Sequence, residues 1–255
     1  MSIALVALAR GLSEVFPTPA GFFVVSCFVA PVLLEFVDPI ISGGITISVF
    51  YTYVFAWPVV ICGSVGALTL IFTFKNQTDS LKMLTSTERI IASWYFCCGF
   101  FFNSMMDVFA GQFQSWPIMS QRYLQLEPRY GMDSSYNGVT CLLTSYQELL
   151  VQAPLGLFLF YGYWTGKTWT KPIEIAFNMW SVAGVLYYYG SEVILGFPNV
   201  HYPRNFEEAI SFEMVLKFWV GFIVFPSLFA VVGIVLTVRA VSYISMRLDE
   251  RVKRE

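Results

Sequence analysis

Six stretches of this 255-residue chain stay apolar over roughly the 20 residues that a helix needs to cross a hydrocarbon layer about 30 Å thick. They fall near 19–39, 47–74, 90–110, 138–163, 173–195 and 216–239, each bounded by charged or turn residues. The first is the most interrupted, by Glu35, Asp38 and three prolines, while residues 2–16 read as a short interfacial helix. Only 13% of the residues are charged, against about 25% in an ordinary soluble domain. The expected fold class is therefore all-α: a polytopic membrane helical bundle of about six spans.

Short cytoplasmic loops retain Lys and Arg, so the basic residues test this layout. With both termini in the cytoplasm, that side holds Arg10, Lys75, Lys82, Arg89, Lys167, Lys171, Arg239, Arg247, Arg251, Lys253 and Arg254. The other side keeps Arg122, Arg129 and Arg204, with Lys217 at its border. An even number of spans and a cytoplasmic C-terminus follow. The closing RVKRE has basic residues where an endoplasmic-reticulum retrieval signal carries them, which makes that membrane the expected location. Residues 1–16 lack a cationic start followed by a long apolar run, so no cleavable signal peptide is expected. The five cysteines lie in or beside apolar segments without a CxxC pair, and a single His accompanies them, which argues against a disulfide framework or a bound metal.

The polar residues inside these runs carry the functional signal. A charged side chain at mid-bilayer costs at least about 2.5–3.5 kcal/mol, so an acid placed there needs a partner, a cavity or a proton. The third run contains FFFNSMMDVF, with Asn103 and Asp107 four residues apart and hence on one helix face. The fourth contains YQELLVQAP, with Glu148 and Gln152 at the same spacing and Tyr146 and Gln147 beside them. The fifth adds Asn178 and then YYYGSE, where Tyr187, Tyr188 and Tyr189 lead to Glu192; the sixth adds Trp219, Phe222 and Phe225. In the orientation above, Asp107, Glu192 and Trp219 lie toward the non-cytoplasmic side and Glu148 nearer the middle, where they can share one pocket. The plainer reading makes Asp107 and Glu192 solvated helix ends and the tyrosines an interfacial aromatic belt.

A carboxyl group shut away from water favours its neutral form and becomes a proton donor. A second carboxyl group in a different environment can accept a proton, so two acids can run both halves of an acid–base reaction. Aromatic faces stabilise a transient carbocation without attacking it. This inventory fits protonation of an alkene or epoxide in a lipid-like substrate, with no cofactor and no metal.

The segments CCGFFFN...MD, QELLVQAP, SVAGVLYYYGSE and FWVGFIVFPSL, taken in order, resemble the EXPERA superfamily of emopamil-binding proteins (sterol Δ8-Δ7 isomerases) and sigma-2-type receptor proteins. The resemblance covers about 90–240 and implies a four-span core. It divides the chain into an N-terminal region of two further spans (1–85), the EXPERA-like core (86–245) and a basic cytoplasmic tail (246–255). In the isomerases a His and a Glu four residues apart handle the proton; Asn103 stands where that His would be and Asp107 where that Glu would be. Glu148 matches the acid of the receptor-type pattern. An amide cannot exchange a proton as imidazole does, which sets this chain apart from ordinary sterol isomerisation. Superfamily members in fungal meroterpenoid pathways cyclise epoxidised prenyl chains, and that chemistry does not need the His.

The function expected is thus a membrane-embedded terpene cyclase. Asp107 would donate the proton, Asn103 would orient it, and Glu148 or Glu192 would accept the last proton. Tyr146, Gln152, Asn178, Tyr187, Tyr188, Trp219 and Phe222 would line the substrate site. The alternatives are a sterol Δ8-Δ7 isomerase and a non-catalytic protein that binds sterols or amphiphiles. The partners expected are a lipophilic isoprenoid or sterol substrate, the lipid bilayer and, as an option, a second copy in a homodimer, with no nucleic acid among them.

Overall fold

The computed structural model describes residues 21–22, 24–29, 56–75, 84–131 and 136–254. Among them every regular element is helical and none is a strand. Glu35, Asp38, the segment 2–16 and much of the first two apolar runs lie outside the described residues. Two helices, Trp57–Lys75 with 19 residues and Phe212–Val252 with 41, are long and apolar enough to cross a membrane. The described residues fall into two compact units, one within Met1–Tyr123 and Ser145–Thr168, the other within Leu124–Thr144 and Trp169–Glu255.

The elements in chain order are α1 (Trp57–Lys75), α2 (Ser86–Phe96), π1 (Cys97–Gln112), α3 (Pro117–Leu126), α4 (Tyr136–Gln147), π2 (Glu148–Gln152) and α5 (Ala153–Trp164). They continue as α6 (Thr170–Leu195), α7 (Phe206–Ala209), α8 (Phe212–Met214), π3 (Val215–Val224) and α9 (Phe225–Val252).

In the first unit, α2 begins at a capping box. The Thr85 hydroxyl accepts from the Glu88 N–H at 3.2 Å, and the Glu88 carboxylate accepts from the Thr85 N–H at 3.0 Å, so two orphan donors of the first turn are satisfied. The helix then passes into π1, where hydrogen bonds span five residues rather than four, as between the Phe113 N–H and the Val108 carbonyl at 2.8 Å. The same widening occurs at π2, where the Ala153 N–H reaches the Glu148 carbonyl. Pro154 follows at once; it has no N–H to return to the carbonyl four residues back, so the turn before it is free to open.

Glycines set how closely these helices approach. A β-carbon on Gly99 would stand 2.7 Å from the Ala153 carbonyl oxygen, and one on Gly156 would stand 2.8 Å from the Tyr95 carbonyl and 2.9 Å from Gly99 Cα. Only hydrogen fits at that crossing, as where small residues let membrane helices touch backbone to backbone. Beside it the rings of Phe96, Phe100 and Phe160 pack in series, with centroids 5.3 Å apart for Phe96 and Phe100 and 5.0 Å for Phe96 and Phe160. Phe100 also lies against Gly66 of α1, where an added β-carbon would meet its ring at 2.7 Å.

In the second unit α6 packs along α9. Gly233 admits the contact, since a β-carbon there would meet the Asn178 carbonyl oxygen and Val182 Cγ2 at 3.1 Å. Helix α6 ends at Gly196, whose φ of 76° is left-handed and suits glycine, while the Phe197 N–H returns to the Glu192 carbonyl at 2.7 Å. Pro226, near the start of α9, leaves the carbonyl of Phe222 without its usual N–H partner. The Tyr189 hydroxyl takes up that position, 2.9 Å from the Phe222 and Ile223 carbonyl oxygens and 3.0 Å from Ser227 Oγ.

Candidate functional site

In the first unit π1 runs antiparallel to π2 and α5, and polar groups line the seam between them. Asn103 Nδ2 donates to Gln152 Oε1 at 3.4 Å, both residues being buried. Four residues away in one direction lies the Gly99 and Gly156 crossing. Four residues away in the other direction lie Asp107 and Glu148, close enough to interact electrostatically. One line along the helix pair therefore passes, in order, a glycine crossing, a hydrogen-bonded amide pair and two acids within electrostatic reach of each other.

The widened winding explains this alignment. An α-helix has 3.6 residues per turn, so every fourth residue drifts around the axis. Bonding across five residues raises the count toward roughly four per turn, at which positions 99, 103 and 107 stack in one line. The sequence spacing placed each acid and amide on one face of its own helix; the π segments turn those faces into a straight seam.

Neither acid is left to water alone. The Tyr123 hydroxyl, on α3, donates to Asp107 Oδ1. Glu148 is half-buried as a residue, yet its Oε2 is shut from solvent and has no hydrogen-bond partner among the described residues. A carboxyl oxygen in that position has room in its hydrogen-bonding capacity for a proton or a ligand. Sequence reasoning missed Tyr123, which lies in a short mixed segment beyond the third apolar run; its nearness in sequence to the Asp107 helix was the only available signal.

A cavity of about 460 Å³ opens on the flank of the same helices. Helix α1 contributes Ile61, Val65, Thr69 and Thr73, each four residues from the next, and π1 contributes Phe100 and Ser104. The third wall is Leu149, Ala153, Leu157 and Tyr161, again at steps of four. These last two stripes sit one residue beyond the seam positions 99, 103, 148, 152 and 156, which is about 100° around each axis. Seam and cavity are thus neighbouring faces of one helix pair.

The remaining expected site residues take other places. Tyr146, in the first unit, is exposed. Asn178, Tyr187, Tyr188, Glu192, Trp219 and Phe222 belong to the second unit. There Glu192 is fully buried and held by Arg129 Nη1 at 3.4 Å and by the Asn199 side-chain amide at 3.0 Å. Arg129 also grips Glu127 with Nε at 2.6 Å and Nη2 at 2.7 Å, and its guanidinium lies 3.9 Å from the centroid of the Tyr188 ring. One face of the Tyr188 ring is thus occupied by a guanidinium. Phe222 packs against the Tyr188 and Tyr189 rings at 5.5 and 5.2 Å. Tyr187 is exposed, and Trp219, also exposed, donates through Nε1 to the Ala209 carbonyl at 3.0 Å. Asn178 is buried in α6 where Gly233 of α9 crosses.

No group of three or more His, Cys, Asp or Glu side chains converges to ligate a metal ion among the described residues. No protein-family model, curated protein or solved structure matches the chain.

Proposed function

We propose that this chain is a polytopic membrane enzyme of about six spans in the endoplasmic reticulum, similar to the EXPERA superfamily, that cyclises an isoprenoid by acid–base catalysis. In this reading Asp107 protonates an epoxide or alkene, with Tyr123 fixing its carboxyl group and the Asn103 and Gln152 pair holding the helices in register. The resulting cation closes one or more rings, and Glu148 removes the final proton. Glu192 is the weaker acceptor candidate, because Arg129 and Asn199 already engage its carboxylate.

The observation that carries the proposal is the pairing of Asp107 with Glu148, one oxygen of which has no partner among the described residues, in a seam flanked by an almost wholly apolar cavity. Two acids with different surroundings are what a protonation followed by a deprotonation requires. The bilayer reading is supported by the two long apolar helices and the low charge content.

The test is expression in a yeast lacking its own sterol isomerase, fed both a Δ8 sterol and an epoxidised farnesyl-aromatic compound, with lipids profiled by mass spectrometry. An isomer of the epoxide with unchanged mass, absent in Asp107→Asn, is the expected result. Conversion of the sterol alone would make the chain an isomerase that works without the His, and conversion of neither would leave a binding protein.

A further inference from the structure

We infer that the cavity walled by α1, π1 and α5 is a chain-binding subsite that takes a single isoprenoid tail of about farnesyl length, laid parallel to the helices with its reactive end toward Asp107 and Glu148. The inference rests on the cyclase reading for the identity of the ligand, and on the geometry for the place and direction of the chain.

The shape is a slot. Its π2 and α5 wall runs from Leu149 to Tyr161, a rise of about 18 Å at the helical pitch, and Ile61 to Thr73 of α1 runs beside it in the same direction. One end is closed by Phe72 against Tyr161, with centroids 5.3 Å apart. The other end is bounded by Phe109, which meets Trp57 edge-on at 5.4 Å, and by Leu149. Leu149 adjoins Glu148 and Phe109 lies two residues past Asp107, so the acids lie level with this second end, one face around from its lining.

The chemistry of the wall selects the ligand. Apart from small hydroxyls such as those of Thr69 and Ser104 and the thiol of Cys62, the lining is aliphatic or aromatic, with no Asp, Glu, Lys, Arg or His among the described lining residues. The described lining offers no charged partner to a phosphate and much to an unsaturated hydrocarbon, and the cavity volume falls in the range of small-molecule sites. Because the slot lies one face around from the seam, a chain seated in it passes the carboxyl groups without displacing the Asn103 and Gln152 bond.

The test uses the full chain in lipid nanodiscs with two photoreactive probes, a diazirine-bearing farnesyl analogue and a diazirine-bearing palmitic acid. The farnesyl probe is expected to label α1 and α5, to be displaced by unlabelled farnesol and not by palmitic acid, and to lose labelling about tenfold in Val65→Trp, a change of about 1.4 kcal/mol in binding. Leu157→Phe, a milder filling of the slot, should lower labelling in the same sense, which guards against a misfolded tryptophan variant. Labelling that survives both substitutions, or equal labelling by the palmitic probe, overturns the subsite. Asp107→Asn separates this inference from the cyclase reading: it should keep slot labelling, so labelling of the slot by a protein that turns over no isoprenoid leaves the subsite standing while the reaction falls, and turnover without slot labelling does the reverse.

Discussion

Asn103 and Gln152 meet at 3.4 Å across two antiparallel helices, between the Gly99 and Gly156 crossing on one side and Asp107 and Glu148 on the other. Sliding one helix by a turn would part the amides and carry Asp107 away from Glu148. The amide pair is thus the register mark of the site. Replacing Asn103 with Leu leaves the buried Gln152 amide unsatisfied and is expected to destabilise the fold by about 1–3 kcal/mol, whereas replacing both with Leu recovers most of that loss. Thermal unfolding of the two single variants and the double variant reads the coupling; strict additivity would deny the pair its role.

Asp107→Asn and Glu148→Gln are each expected to lower turnover of the epoxidised farnesyl-aromatic substrate by about a hundredfold or more, the usual contribution of a positioned acid or base. Tyr123→Phe should lower it less and shift the pH profile, since it removes a donor to Asp107 and not the proton itself. Full activity in both acid variants would dismiss the assigned roles.

The sequence already displayed much of this seam. Spacings of four put Asn103 with Asp107 and Glu148 with Gln152 on single faces, and the structure places all four on helices of one unit. What periodicity cannot show is which faces meet, because that depends on the Gly99 and Gly156 crossing and on winding that departs from 3.6 residues per turn. Arg129 illustrates the same limit. In the sequence it counts as one loop charge, yet in the fold it is buried and holds Glu192 from far along the chain. Ion pairs between distant segments leave no local pattern. The runs near 90–110, 138–163 and 173–195 are helical, and their polar residues are what set them apart from the two helices apolar enough to cross a membrane by composition.

Gly99→Ala and Gly156→Ala should each cost about 1–3 kcal/mol through overpacking, because the new methyl group meets backbone that cannot step aside. Gly184 and Gly190, also within a helix, have nothing within 4 Å of an added β-carbon, and alanine there should be neutral or stabilising by up to about 1 kcal/mol. Unfolding midpoints of the four variants in detergent check the contrast; equal losses at all four positions would refute close packing as the cause.

Arg129→Met leaves Glu127 and Glu192 facing each other without their shared cation. Breaking a buried ion pair from one side costs about 3–5 kcal/mol, so this variant should unfold well below the parent. Arg129→Lys should fall between them, since an ammonium cannot grip Glu127 through two nitrogens as the guanidinium does. Limited proteolysis of the second unit gives an independent reading.

Glu208 supplies a pH signature outside the apolar helices. The Arg204 N–H donates to Oε2 at 2.7 Å and the His201 ring lies 2.7 Å from Oε1, which together hold the carboxyl below its ordinary value of 4.5. A depressed carboxyl stabilises the folded loop fully above the ordinary value and loses that contribution as the pH falls through the lower folded one. Amide protection factors over residues 204–210 should therefore drop on acidification from about pH 6 to about pH 3, and Glu208→Gln should flatten the response. A parent protein whose protection there ignores pH would contradict the assignment.

The widened turns also bear on how the site tolerates changes of chain length. A helix wound with extra residues per turn carries a surplus, and a single deletion within Glu148–Gln152 removes it. Eight residues at roughly four per turn and seven at about 3.6 per turn both amount to about two full turns, so ordinary α winding would close the gap and leave Gly156 facing Gly99. Between Ala153 and Gly156 the winding is already α, and the loss of one residue there would turn everything beyond it by about 100° relative to the acid. The π turn can thus shed a residue without uncoupling the packing surface from the chemistry, and the α turn after it cannot.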